Sequence, residues 1–81
     1  RDPETYALLD KDLLIQSYGL TAAEADLAAM FDTGASLVDI ADRRGVSIST
    51  VRTQLYTLMA KLDVNRQTEL VRLLRQYRLD F

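Results

Sequence analysis

Four residues, Arg44-Gly45-Val46-Ser47, are all that joins two amphipathic helical patterns in the middle of this chain. Arg43 and Arg44 suit the negative end of the preceding helix, Gly45 supplies a left-handed stop, and Ser47 is a good N-cap for the next. A connection this short leaves little room for antiparallel stacking. It predicts a sharply crossed pair, the helix-turn-helix arrangement.

The remaining punctuation is sparse: three glycines and one proline in 81 residues. Helical periodicity recurs five times and no alternating strand pattern appears, so the expected fold is all-α. The first helix is expected over Thr5–Tyr18, opened by Pro3 and Glu4 and stopped by Gly19. The second begins at Thr21, where Thr21-Ala22-Ala23-Glu24 forms a capping box, and ends at Gly34. Leu20 before that box is placed to staple onto Ala25. The third starts at Ser36, with Asp39 three residues on, and closes at Gly45. The fourth runs from Ser47 to Leu62, and the fifth from Asn65 as N-cap to Tyr77.

The length suits one small domain. Residues 1–19 read as a linker or support helix, 20–78 as the domain and 79–81 as a tail. The chain opens on Arg1 rather than Met and carries no signal-peptide pattern, consistent with a piece of something longer. No apolar run is long enough to span a bilayer, so no membrane partner is expected.

Composition excludes most chemistry. Cysteine and histidine are both absent, which removes the thiol nucleophile, the usual general base and the usual soft metal ligands. No glycine-rich phosphate loop and no nucleophile–base pair is present, so no catalytic residue, metal, cofactor or small-molecule ligand is expected. Thr21 and Glu24 are accounted for by capping.

Charge is divided along the chain. Residues 1–42 carry two cations against nine acids, net −7; residues 43–78 carry eight cations against two acids, net +6. On the fourth helix, at about 100° per residue, Val51, Leu55, Leu58 and Leu62 fall within a narrow apolar stripe. Ser49, Arg52, Thr53, Tyr56 and Ala60 share the opposite face, while Thr50, Thr57 and Lys61 lie on one flank. No acid occurs from Arg43 through Leu62. Such a face suits a B-form major groove: small residues allow close approach, Arg52 can donate a fork to guanine, and Thr or Tyr can touch thymine methyls. The same pattern also fits an ordinary amphipathic helix. Arg66 can equally pair with Glu69, Lys61 serve its own helix end, and the threonines bond back to their own helix.

The ordered series Leu20-Thr21 with Glu24, Gly34 with Ser36, Ile40-Ala41, Val46-Ser47, Thr50-Val51-Arg52, Lys61-Leu62 with Val64, and Arg66 with Leu70-Val71 resembles the LuxR/GerE-type helix-turn-helix domain of bacterial transcription regulators. The likeness covers about Leu20–Leu74. It departs at Ala23 (usually basic), Gln54 (commonly His) and Asp63 (commonly Gly). The resemblance implies a four-helix domain, here with an extra N-terminal helix, whose recognition helix is Ser47–Leu62. It implies base contacts by Ser49, Arg52, Thr53 and Tyr56 and phosphate contacts by Thr50, Lys61 and Arg66; Thr57, on the same flank, and Ser47, at the start of the helix, are candidate phosphate contacts too. It also implies a homodimer through the last helix, with Val71, Leu74, Arg75 and Arg78 as interface candidates.

The expected function is sequence-specific binding of double-stranded DNA for transcription regulation in the bacterial cytoplasm, at the nucleoid, with RNA polymerase as a further partner. Two alternatives stay open: the same scaffold as a protein-interaction module with weak or no DNA binding, and the promoter-reading C-terminal region of a sigma factor. The ordered helix predicted after Val64-Asn65-Arg66 speaks against the latter.

Overall fold

The computed structural model describes residues 8–79, and within them the chain is all-helical. We label the helices α1 (Lys11–Tyr18), α2 (Ala22–Asp32), α3 (Leu37–Arg44), α4 (Ile48–Lys61) and α5 (Gln67–Arg75). The predicted capping box at Thr21 forms, and the predicted Ser36 cap is completed into a second box by Asp39. Thr21 Oγ1 accepts from Glu24 N at 3.1 Å while Glu24 Oε1 accepts from Thr21 N at 2.8 Å. Ser36 and Asp39 make the same reciprocal pair at the start of α3. Each box satisfies two amides that a helix N-terminus would otherwise leave unbonded. Gly45, at φ +66°, closes α3 in the left-handed conformation, and Val46 N donates to Ala41 O at 3.0 Å.

Three boundaries differ from expectation. Among the described residues the expected first helix is helical only from Lys11, because Asp10 is its cap: Asp10 Oδ1 accepts from Leu13 N at 3.1 Å. Leu8 and Leu9 are extended instead. Leu9 forms an antiparallel bridge with Arg78, flanked by Asp10 N to Tyr77 O and Leu79 N to Leu8 O, both 2.7 Å. The helix start expected at Pro3 and Glu4 lies outside the described residues. At α5 the cap position belongs to Arg66, which contributes no side-chain cap bond, whereas Asn65 N donates to Glu69 Oε2 at 3.2 Å. Glu69 thus reaches back past the cap to the Asn65 amide, and no side chain caps the first-turn amides of α5. The helix stops at Arg75, two residues before Tyr77.

One core holds the helices together. Leu14 comes from α1, Leu27 and Ala28 from α2, Ile40 and Ala41 from α3, and Leu70 and Leu74 from α5. The α4 stripe of Val51, Leu55, Leu58 and Leu62 is buried as predicted, and Met59 joins it. A fully buried Leu is worth about 1.5–3 kcal/mol relative to an exposed one, so this stripe fixes the rotation of α4 about its axis. None of the helices described is long and apolar enough to cross a membrane.

Candidate nucleic-acid interface

Burying one stripe of α4 forces the opposite stripe outward. Ser49, Arg52, Thr53, Tyr56 and Ala60 are all exposed, Tyr56 to 62%. The neighbouring turn is small and exposed at Gly45, Val46 and Ser47. No carboxylate is covalently part of residues 43–62, and Arg52 takes part in no ion pair among the described residues. The face is therefore an exposed ridge with no acid of its own and one guanidinium outside the ion pairs, flanked by the groove that Glu24 shares with Thr53.

The hydroxyls on and beside this ridge already serve the helix. Ser47 Oγ accepts from Thr50 N at 3.1 Å, forming the α4 cap, and lies 2.9 Å from Thr50 Oγ1. Thr53 Oγ1 donates to Ser49 O at 3.1 Å, and Thr57 Oγ1 to Thr53 O at 3.2 Å. A threonine that donates backward keeps its oxygen lone pairs but has spent its proton.

Lys61 is also engaged. Its Nζ donates to Glu24 Oε1 at 2.7 Å and to Gly19 O at 3.4 Å. Glu24 sits in the first turn of α2, and its carboxyl is held below the usual carboxylate range, chiefly by the Lys61 ammonium and next by the Thr21 amide. This contact joins residues 37 apart in sequence, and no local pattern announced it. Beside it runs an open groove of about 240 Å³ between the start of α2 and the α4 flank, lined in part by Thr21, Glu24, Arg44, Thr53 and Thr57. Arg44 crosses to α2, where Nη1 lies 3.5 Å from Ala23 O. Gln54, at the position commonly His in the resembling family, turns its Oε1 inward with no hydrogen-bond partner. Arg66 is exposed beyond the far end of α4.

The four interface candidates separate. Val71 is half-buried and Arg75 exposed; both line a shallow groove with Phe31, Gln67, Thr68 and Arg72. Leu74, in contrast, is completely buried in this chain's own core, so it is not available to a second molecule. Arg78 is also committed internally. Its Nε reaches Asp32 Oδ1 and Oδ2 at 3.1 and 3.0 Å, and its Nη2 reaches Oδ1 at 2.9 Å. Asp32, whose side chain is 1% exposed, has that guanidinium as its charged partner inside the fold.

A crossed helix pair with a protruding second helix is the common scaffold of helix-turn-helix regulators. The family model described as "Bacterial regulatory proteins, luxR family" matches residues 19–74. The chain therefore belongs to the luxR family, a class of regulatory proteins rather than of enzymes. The Monoamine regulon transcriptional regulator of Klebsiella aerogenes is 44% identical over 52 residues, covering 64% of this chain. The chain spans 23% of the length of that relative. No solved structure matches it significantly.

Proposed function

We propose that this chain binds double-stranded DNA sequence-specifically in transcription regulation, with α4 in the major groove. The observation that carries the reading is the exposed, acid-free ridge of Ser49, Arg52, Thr53 and Tyr56, backed by a buried stripe that fixes its orientation. Arg52 donates its fork to a guanine edge, and Ser49, Thr53 and Tyr56 supply shorter polar and methyl contacts. Ser47, Thr50, Thr57, Lys61 and Arg66 set the register against phosphates. Two copies pair through the α5 face that presents Val71 and Arg75, and so read two half-sites about one helical turn apart. RNA polymerase is the further partner of the assembled regulator. Family membership and a relative named as a transcriptional regulator support this reading.

Selection of bound sequences from a random DNA pool with the purified chain tests it. The expected product is an inverted repeat. Recovery of no enriched sequence at low salt overturns the reading.

One observation favours a second reading, a protein-interaction module on the same scaffold. The Lys61 ammonium and the flank hydroxyls are already satisfied within the chain. Salt separates the two, because binding through phosphates falls steeply as salt rises while a small apolar interface hardly responds.

A further inference from the structure

We propose that Glu24 is a built-in stand-in for a DNA phosphate: it holds the Lys61 ammonium in the free chain and so sets how strongly the α4 flank grips a DNA backbone. The proposal rests on the DNA-binding reading above and adds to it a residue on α2, outside the helix-turn-helix pair.

The geometry points to this role because one carboxylate oxygen does two jobs. Glu24 Oε1 accepts from Thr21 N at 2.8 Å and from Lys61 Nζ at 2.7 Å. The first bond caps α2 and needs only an acceptor, which a neutral amide oxygen also supplies. The second is charge-assisted and needs the carboxylate. Glu24 can therefore lose its charge and keep its structural task. The ammonium it holds stands on the flank bearing Thr50 and Thr57, beside a groove open to solvent at whose rim Arg44 adds a second cation. The Lys61 side chain is 35% exposed, so a diester oxygen can approach it, whereas Glu24 is covered, at 15%. A phosphate arriving there offers what the carboxylate offers, an anionic oxygen for an ammonium. The two anions compete, and Lys61 makes a full phosphate contact only by giving up the Glu24 bond. The Gly19 carbonyl, at 3.4 Å, is a weak second tether.

Phosphate contacts are independent of sequence, so the test needs no operator. Titration of a mixed-sequence DNA duplex with the parent chain, Glu24→Gln, Lys61→Met and the double variant, each across a salt series, reads the effect. Glu24→Gln should bind on the order of fivefold more tightly near 0.1 M salt, with the slope of log affinity against log salt steeper by about 0.9, the signature of one added phosphate contact. Lys61→Met alone should weaken binding, by less than Glu24→Gln strengthens it, because the parent chain offers that ammonium to phosphate only against the competing Glu24 carboxylate. In the double variant the gain should vanish. A cooperative melt with only a modest lowering of the melting temperature, and unchanged helical dichroism, in Glu24→Gln confirm that the cap survives the loss of the ion pair; if that variant unfolds, the separation of cap from charge is wrong and the proposal falls. An unchanged slope in a folded Glu24→Gln overturns it, as does the same gain in the Lys61→Met background, which would mean only that a nearby acid had been removed. If the parent chain binds no duplex at low salt, the DNA reading itself fails; the other negative outcomes leave that reading standing.

Discussion

Arg52 and Arg78 show how differently the same side chain is used at the two ends of the charged half of the molecule. Arg52 is exposed and free of ion pairs, so its five donors remain available to a partner. Arg52→Ala should weaken binding to the selected sequence by about 1–3 kcal/mol and relax preference at one base pair, as measured by titrating single-site variants of that sequence. Arg52→Lys should recover affinity better than preference, because a point charge cannot supply the planar fork. Arg78 has no such freedom. Arg78→Met leaves the Asp32 carboxylate buried without its cation and should lower unfolding free energy by about 3 kcal/mol, near the low end for a broken buried pair since Arg78 itself is partly solvated. Urea denaturation measures the loss. Asp32→Asn added to Arg78→Met should restore part of it, because a neutral amide costs less to bury than an orphan charge.

At the scale of elements, the legible part of the fold was the part encoded within one helical turn. Both capping boxes, the Gly45 stop, the Ser47 cap and the buried α4 stripe depend on residues three or four apart, and each is as the local chemistry requires. The exposed ridge followed from the same stripe. The α5 cap differs from the local expectation: Asn65 is a good capping residue in isolation, but the cap position is Arg66 and the Asn65 amide donates to Glu69 in the following turn. What local pattern could not supply were contacts across the chain. Arg78 and Asp32 are 46 residues apart, and Lys61 and Glu24 are 37 apart; sequence gives each charge many possible partners. The α2 cap carries its own pH prediction. The folded pKa of Glu24 lies below its unfolded value, so its pairing stabilises the chain at neutral pH. That contribution is fully present above the ordinary carboxylate range, declines as pH falls from that range toward the lowered folded value, and is gone below it. The stability difference between the parent chain and Glu24→Gln, followed by urea denaturation at a series of acidic pH values, should therefore shrink only toward the acid end.

At the scale of the whole molecule, the segments beyond the family match close on each other. Residues 8–18 and 76–79 lie outside the matched span of 19–74, yet Leu9 pairs with Arg78 and the Tyr18 and Tyr77 hydroxyls lie 3.1 Å apart. Those two rings meet edge to face, with centroids 5.9 Å apart. Leu9 and Leu14 extend the core from the N-terminal side, so a chain starting at residue 20 loses both, together with the backbone partners of Tyr77 and Leu79. A domain this small has little stability to spare, and that truncation should lower the melting temperature markedly. DNA binding measured well below the new transition should persist, because the truncation removes no part of α3 or α4. The clasp also makes a sharper, non-additive claim. The segment carrying Arg78 is bonded to Leu8 and Asp10 on one side, and Arg78 covers Asp32 on the other; the first contact is expected to hold the second. In the truncated chain that segment is released, Asp32 gains access to water, and an unpaired carboxylate becomes cheap. Arg78→Met should therefore cost clearly less there than in the intact chain, a coupling that a four-way denaturation cycle measures directly. Equal costs in both backgrounds would mean that α5 alone positions Arg78 and that the N-terminal segment merely lies against it.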